Sequence, residues 1–146
     1  FDRTSGKFLY LDDIREPGNL GGIIRSSDAL GLDGLIISPG SCDLYNPKTV
    51  RSSMSSIFRL PIYFMSREDL VSLDFNILAT SLDNSTSTRD YDFKDKDIVV
   101  IGNEAKGVSD FIMSHARGFL NIPISPKVDS LNANVAASII IYEMMK

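Results

Sequence analysis

The chain has 146 residues, 43 % of them hydrophobic and 23 % charged, with a formal net charge of −4 at pH 7. This is the composition of a globular domain with one core, and its acidic balance argues against bulk affinity for nucleic acid. The longest apolar run stops short of the ~20 residues that a membrane span needs. A single cysteine, Cys42, and a single histidine, His115, exclude an internal disulfide and a structural zinc site, and they favour a reducing, cytoplasmic compartment.

In the first half of the chain, short apolar runs alternate with segments that carry helix start and stop signals. Asn19 is a good N-cap for a helix that stops before Gly31, and Leu20, Ile23 and Ile24 repeat at helical spacing. The expected elements are strands over Phe8–Leu11, Leu35–Ile37 and Leu60–Phe64, and helices over Leu20–Leu30, from Asn46 onward, and over Arg67–Leu73.

The second half continues the alternation, with the polar segment Asp83–Asp97 expected to be a loop. We expect Ser130 to open the last helix. That helix is apolar on nearly every side from Val135 to Met145, which predicts that it is buried. The other expected elements are strands over Asn76–Thr80, Ile98–Ile101 and Phe119–Ile124, and a helix from Ser109 to about Ala116.

Strands that alternate with helices at this spacing predict an α/β fold, with a doubly wound, largely parallel sheet and helices on both faces. Ligands of such sheets bind beyond the carboxyl ends of the strands. Polar clusters fall at these ends, namely Pro17–Arg25, Thr80–Leu82, Gly102–Gly107 and Ser125–Asn134. Their coincidence predicts a binding site at that edge of the sheet.

Taken singly, these clusters allow either a ligand site or a purely structural role. The Gly102–Gly107 loop lacks a P-loop or dinucleotide fingerprint, so its glycines either admit a ligand or make a tight turn. Asn19 and Arg25 are either site residues or a helix cap and a surface cation. Ser130 likewise either caps the last helix or faces a ligand, because an unpaired polar group in a core costs about 1–3 kcal/mol.

A local basic stretch stands out from the acidic background. Between Leu44 and Arg67 there are four cations and no acid. A strip of this kind can bind phosphates even on an acidic protein, although a solvated surface would read the same way. The candidate phosphate contacts are Lys48, Arg51 and Arg59.

The polar clusters also share an order and a spacing. They are Asn19–Arg25 (NLGGIIR), Gly102–Glu104 (GNE), and Ile122–Ile124 (IPI) followed by Ser130–Asn132 (SLN). In this they resemble the three signature motifs of the SpoU-type (TrmH-like) RNA 2′-O-ribose methyltransferases of the SPOUT superfamily. Intermediate segments, Arg51–Ser55 before Phe58–Pro61 and then Ala79–Leu82, look alike as well, so the resemblance covers essentially the whole chain.

The resemblance implies a trefoil knot in the C-terminal part of the sheet and S-adenosylmethionine bound in that knot. By the resemblance, the cofactor-binding residues are Thr80, Leu82, Gly102, Asn103, Ile122, Ile124, Ser130 and Leu131. The family also implies a homodimer whose active site lies at the subunit interface. Residues 1–146 would be the methyltransferase domain, and a separate N-terminal RNA-binding domain would be missing, in agreement with the start at Phe1.

The implied reaction transfers a methyl group from a sulfonium to a ribose hydroxyl, which requires alignment and removal of a proton. The motif arginine that the family uses to activate the hydroxyl corresponds to Arg25. A guanidinium is hard to deprotonate, so Arg25 could instead bind the adjacent phosphate and orient the ribose. Asn19, Glu104, Ser130 and Asn132 would complete the catalytic pocket, and Glu104 could be the base if burial raised its pKa.

Two residues depart from the family pattern, because Ala105 and Ser55 stand where it usually has glycine. We expect Ala105 to alter its loop slightly, and Ser55 to change the backbone near the phosphate strip. The alternative to an enzyme acting on RNA, with rRNA a better match than tRNA, is an inactive knotted RNA-binding or ribosome-assembly module. A Rossmann-like small-nucleotide binder is disfavoured because the first strand is not followed by a dinucleotide fingerprint.

Overall fold

The computed structural model describes all 146 residues, and seven strands form one continuous sheet. The strands are β1 (Phe8–Asp12), β2 (Gly34–Ile37), β3 (Ile62–Phe64), β4 (Asn76–Thr80), β5 (Thr86–Ser87), β6 (Asp97–Gly102) and β7 (Gly118–Asn121). Their order across the sheet is β3-β2-β1-β6-β4-β7-β5, and every pair is parallel. The predicted parallel α/β sheet is therefore confirmed.

Five α-helices and one 3₁₀ turn connect the strands. They are α1 (Pro17–Ala29), α2 (Pro47–Ser52), the 3₁₀ turn Ser56–Phe58, α3 (Arg67–Val71), α4 (Asp110–His115) and α5 (Ala133–Met145). None of these helices combines the length and the apolar character that crossing a membrane would require.

The two faces of the sheet carry separate hydrophobic cores, as the alternation of side chains along a strand requires. Leu9 and Leu11 of β1 belong to one core, which also contains the buried residues of α1 and α5. Phe8 and Tyr10 point the other way, into a core shared with α3 and α4. Helices thus cover both faces, which confirms the doubly wound arrangement.

Helix α1 packs on the sheet through the stripe that the sequence predicts. Leu20, Ile23, Ile24 and Ser27 are all fully buried, and Arg25 lies on the exposed side. The hydroxyl of Ser27 donates to the carbonyl oxygen of Ile23 at 2.7 Å, so burial of this polar group leaves it satisfied.

Within one chain only one face of helix α5 is buried, so the burial predicted on nearly every side is incomplete there. Ala137, Ile140, Ile141 and Met144 lie in the core, whereas Val135, Ile139 and Tyr142 are exposed. The exposed residues are spaced at i, i+4 and i+7, so they form one stripe along the helix. Composition alone could not show this, because apolar residues facing the core and those facing outward look the same in sequence.

Both predicted caps of the site helices were wrong by a few residues. Helix α1 begins at Pro17, and the side chain of Glu16 caps it by accepting from the backbone N–H of Asn19 at 3.0 Å. Proline is suited to the first turn because it has no N–H to lose. Helix α5 is capped by Asn132 and not by Ser130.

The remaining differences concern polar or proline-containing segments. The strand β5 lies within Asp83–Asp97, which was expected to be loop throughout, and its two residues pair with β7. Strand β7 ends at Asn121 and not at Ile124, because Pro123 has no N–H to donate to a neighbouring strand.

Ser55, which stands where the resemblance implies glycine, adopts the left-handed conformation that glycine favours. Its φ is +77°, and the preceding Met54 has φ +50°. The backbone expected from glycine is therefore kept, at the steric cost that a Cβ adds in this region. Ala105 is not among the residues with positive φ, so its methyl group causes no comparable strain.

A pair of substitutions measures this backbone cost. Gly31 has φ +82° and a Cβ built there would meet no other atom within 4 Å, so Gly31→Ala isolates the effect of conformation. We expect Gly31→Ala to lower the free energy of unfolding by about 1 kcal/mol and Ser55→Gly to raise it by a similar or smaller amount. Urea unfolding followed by circular dichroism measures both, and a Ser55→Gly protein less stable than the wild type would contradict the argument.

Candidate functional site

A cavity of about 600 Å³ opens at the carboxyl edge of the sheet, between the ends of β4, β6 and β7 and the start of α5. Eleven of the twelve residues predicted to form the catalytic and cofactor sites line it. They are Asn19, Thr80, Leu82, Gly102, Asn103, Glu104, Ile122, Ile124, Ser130, Leu131 and Asn132. Residues separated by more than a hundred positions in sequence therefore line the same cavity.

The carboxylate of Glu104 joins two of the predicted motifs. Its Oε1 accepts from the backbone N–H of Arg15 at 3.1 Å, and its Oε2 accepts from the backbone N–H of Glu16 at 2.8 Å. Oε2 also accepts from the amide Nδ2 of Asn19 at 3.2 Å. Glu104 thus holds the turn before α1 against the loop that follows β6.

These hydrogen bonds decide how acidic Glu104 is. Partial burial acts to raise its pKa, but the backbone N–H groups of Glu16, Glu104 and Arg15 and the amide of Asn19 act to lower it, and the net pKa is below the usual value. A carboxylate that accepts several N–H groups is stabilised in its charged form. The condition for Glu104 to be a strong base, a raised pKa, is therefore not met.

The loop after β6 is held closed by its own backbone and by Asn103. The N–H of Asn103 donates to the carbonyl oxygen of Gly107 at 3.0 Å, and the N–H of Gly107 donates back at 2.9 Å. A Cβ on Gly102 would lie 2.2 Å from the carbonyl carbon of Gly107, so only glycine allows this approach. The side chain of Asn103 accepts from the N–H groups of Ala105 and Lys106 and donates to the carbonyl oxygen of Asp13 at 2.7 Å.

The start of α5 divides its polar residues between two roles. Oδ1 of Asn132 accepts from the N–H groups of Asn134 and Val135 at 2.8 and 3.3 Å, so this amide is the helix cap. Ser130 is exposed, lines the cavity, and its hydroxyl makes no hydrogen bond within the chain. The two alternatives therefore apply to different residues. Asn132 caps the helix, and the hydroxyl of Ser130 is free to contact a ligand.

The opposite wall comes from the ends of β4 and β7. The hydroxyl of Thr80 donates to the carbonyl oxygen of Val100 at 3.0 Å, and the N–H of Ser81 donates to the carbonyl oxygen of Leu120 at 2.9 Å. Leu82 stands exposed at the rim. Most of this wall is therefore backbone and apolar surface.

Several cavity residues were missed by the sequence argument. They are Ile101, Leu120, Asn121, Ala136 and Ile140, whereas Ser81, Ala105, Gly107 and Ala133 lie within the polar clusters that predicted the site. Ala136 and Ile140 are four residues apart, so they share one face of α5. The helical spacing was the available signal for them, whereas Asn121 became visible only when β7 ended earlier than expected.

Arg25 is the one predicted catalytic residue that does not line the cavity. It lies on the exposed side of α1, six residues beyond Asn19. At about 100° per residue, two side chains six positions apart on an α-helix point about 120° away from each other. Arg25 and Asn19 therefore lie on different sides of α1. Within one chain, Arg25 and the cavity are separate.

The three predicted phosphate contacts are all exposed but differ in their partners. Nζ of Lys48 lies 2.8 Å from Oε1 of Glu16, and Nη2 of Arg59 lies 2.8 Å from Oδ2 of Asp28. Arg51 forms no ion pair. No group of three or more histidine, cysteine or acidic side chains anywhere in the chain could hold a metal ion.

The sequence of the chain is similar to those of known RNA methyltransferases. The profile of the SpoU rRNA Methylase family matches residues 6–142. The chain is 31 % identical over 145 residues to the 23S rRNA (guanosine(2553)-2'-O)-methyltransferase RlmP of Bacillus subtilis. This alignment covers 97 % of the chain and 58 % of RlmP. The chain is 34 % identical over 148 residues to the 23S rRNA (uridine(2479)-2'-O)-methyltransferase of Streptomyces viridochromogenes, covering 94 % of this chain and 52 % of that enzyme.

Solved structures agree with the sequence comparison. The AdoMet-bound rRNA methyltransferase from Sinorhizobium meliloti superimposes with a TM-score of 0.90 at 34 % identity, over 95 % of this chain and 55 % of that one. The chain thus spans little more than half the length of these relatives. The family match nevertheless extends over almost all of its residues. The chain belongs to the SpoU rRNA methylase family.

Proposed function

We propose that the chain is the catalytic domain of an RNA methyltransferase that transfers a methyl group from S-adenosylmethionine to a ribose 2′-hydroxyl. The observation that carries this proposal is the convergence of eleven motif residues on one cavity. The rRNA-modifying relatives, both above 30 % identity, favour rRNA over tRNA as the substrate. A cytoplasmic location follows from that substrate.

The cavity suits a ligand with an apolar ring and polar ends. Its volume of about 600 Å³ lies within the usual range for small-molecule sites, and half of its twenty lining residues are hydrophobic. Ile101, Leu120 and Ile140 provide the apolar surface, and Ser130 and Asn121 provide polar side chains. When bound, S-adenosylmethionine would supply a methyl group carried on a sulfonium.

The residues of the chain would act mainly by position and electrostatics. The ribose oxygen bonds to the methyl carbon while the C–S bond breaks, and the hydroxyl loses its proton. The carboxylate of Glu104 already accepts hydrogen bonds from Arg15, Glu16 and Asn19, so we assign it no part in proton transfer, and the proton is released to the bulk solvent. We assign Glu104 to bracing Asn19 and the start of α1, and Asn132 to fixing the first turn of α5.

The second part of the proposal is a homodimer that completes the site. The apolar stripe of Val135, Ile139 and Tyr142 on α5 is exposed in one chain, and Arg25 lies exposed on the adjacent helix α1. A second copy seated on this surface would bury the stripe and would bring its own Arg25 to the cavity. There the guanidinium, which does not deprotonate in proteins, would bind the phosphate next to the reacting ribose and orient it.

We also infer the trefoil knot that the family implies. After β7 the chain crosses the carboxyl edge as the segment 122–132 and then packs α5 against α1 and β6. Strand β7 is separated from β6 by β4, so this return would bring the chain past the loop between β4 and β6. If the C-terminal helix threads through that loop, the loop and the start of α5 would form facing walls of the cavity.

Binding of the cofactor is the first test. We expect isothermal titration calorimetry to detect binding of S-adenosylmethionine and not of NAD or ATP. Gly102→Ala should abolish that binding, because the added Cβ would collide with Gly107 and displace the loop. Gly31→Ala, which adds the same methyl group far from the cavity, is the matched control and should bind normally. Absence of binding in the wild type would refute the proposal.

A mixing experiment tests the shared site and the reaction together. We expect Arg25→Ala to lose methyl transfer while keeping its cofactor affinity, and Arg117→Ala, an exposed arginine at the opposite edge of the sheet, to keep both. Mixed Arg25→Ala and Gly102→Ala chains should regain about a quarter of wild-type activity, because half of randomly formed dimers then contain one intact site. Ribose methylation of rRNA and tRNA from cells lacking the protein would be mapped by mass spectrometry.

The outcomes of this experiment are distinct. No recovery on mixing would place Arg25 in the site of its own subunit. Activity that survives in Arg25→Ala would show that this residue is dispensable. RNA binding by the wild type with no methyl transfer at all would favour the alternative, an inactive RNA-binding or assembly module.

The structural role of the Glu104 carboxylate can be tested by measuring stability as a function of pH. Its folded pKa is lowered from the ordinary 4.5, so the stability it contributes is present above that pH and is lost as the pH falls through the folded pKa. We expect Glu104→Gln to reduce the free energy of unfolding by about 1 kcal/mol at pH 7 and the difference from wild type to shrink below pH 4.5. Glu68→Gln, whose carboxylate makes no hydrogen bond or ion pair, is the control. A difference that is constant with pH would contradict the assignment.

A further inference from the structure

A second, smaller cleft lies at the same edge of the sheet as the cavity, beyond the ends of β2 and β3. Its volume is about 290 Å³, and it is lined by Phe64 and by the residues from Ile37 to Tyr45 other than Gly40. None of its lining residues contributes to the cavity. We refer to it as the β2–β3 cleft. Neither the family motifs nor the proposed reaction assigns it a role.

Two large aromatic side chains at this cleft are left in water. Tyr45 is 68 % exposed and Phe64 is 63 % exposed. Neither ring packs against another aromatic ring, whereas Phe8, Tyr63 and Phe75 cluster at the opposite end of the sheet. Aromatic side chains normally bury a large area on folding, so a pair exposed around one concave surface marks an interaction site.

The lining of the cleft suits a neutral planar group and not a phosphate. It contains no cation, and its one charged residue is Asp43, whose Oδ1 accepts from the N–H of Tyr45 at 3.0 Å. That bond fixes the turn that carries Tyr45. The rest of the lining is apolar, hydroxyl or thiol, which is the surface on which a nucleobase stacks without being repelled.

Hydrogen bonds connect the cleft to the turn that Glu104 holds. The hydroxyl of Ser38 accepts from the N–H of Asp13 at 2.8 Å, and the hydroxyl of Ser41 accepts from the N–H of Ile14 at 3.1 Å. The next residue, Arg15, donates its N–H to Glu104 in the cavity wall. Three consecutive residues therefore connect the floor of the cleft to the cavity.

A cation lies at this connection. The side chain of Arg15 is 67 % exposed, and its Nη2 lies 3.8 Å from the place that a Cβ on Gly40 would take, next to the cleft lining. Its Nε donates to Asp13, which leaves the two terminal nitrogens available to an anion. A guanidinium in this position can hold the phosphate that links two nucleotides.

From these contacts, and resting on the proposed function, we propose that the β2–β3 cleft binds a base of the RNA strand near the methylated nucleotide. That base stacks on Tyr45 and Phe64, and Arg15 binds a phosphate between the cleft and the cavity. Stacking accepts any base, so this contact would select unpaired RNA over a duplex and would position the strand without reading its sequence.

Photocrosslinking and binding measurements on the 146-residue chain test this. The probe is a single-stranded oligouridylate that carries 5-iodouridine, and mass spectrometry locates the crosslink. We expect it on Tyr45 or Phe64. In fluorescence anisotropy with the same RNA, Tyr45→Ala combined with Phe64→Ala should weaken binding about tenfold or more, as loss of a stacked base does. Tyr45→Phe combined with Phe64→Tyr should restore it.

Phe58 is the matched control, because it is 77 % exposed on the 3₁₀ turn and lies outside the cleft. Phe58→Ala should change RNA affinity by less than about twofold, and all variants should bind S-adenosylmethionine like the wild type. Equal RNA affinity of the wild type and the double alanine variant, or crosslinks only at other residues, overturns the cleft while leaving the methyltransferase proposal intact. A wild type that binds neither RNA nor S-adenosylmethionine overturns both.

Discussion

The candidate site depends on one carboxylate that satisfies the backbone of a distant turn. Glu104, in the loop after β6, accepts hydrogen bonds from the N–H groups of Arg15 and Glu16 just before α1. These donors precede the helix and have no partner within it, so without Glu104 they would rely on water. The loop that carries Glu104 is itself closed by the approach of Gly107 to Gly102, where a Cβ would not fit. The same carboxylate also accepts from the side chain of Asn19, so this contact joins the loop after β6, the turn before α1 and the lining of the cavity.

Sequence reasoning predicted the elements whose signals are local. Alternating apolar runs were enough for the parallel sheet, and the helical stripe of α1 was enough for its buried face. Motif spacing located nearly the whole cavity, because the carboxyl ends of parallel strands necessarily meet at one edge. What it could not provide was the choice between equivalent groups. Either Ser130 or Asn132 could have capped α5, and only the path of the chain places Asn132 at the correct distance.

The incomplete burial of α5 and the distance of Arg25 from the cavity, both seen in one chain, have a common origin. A sequence shows that a helix face is apolar but does not show what covers it, and the exposed stripe on α5 is covered by nothing in one chain. In the same way, the position of Arg25 on α1 follows from helix geometry, but its distance from the cavity depends on which surfaces come together. If the proposed dimer forms, protein concentration would govern catalytic competence as well as assembly.

The contacts of Glu104 with Arg15 and Glu16 span 89 and 88 positions of the chain. Strand β6 must also enter the sheet between β1 and β4 before the cavity has a floor, and α5 must arrive before it has a wall. Such long-range pairings form late, because the entropy of closing large loops is lost before the contacts form. During synthesis the chain would therefore acquire its sheet progressively, but its binding site only once helix α5 has left the ribosome. Partly made chains would then have no working site with which to occupy RNA.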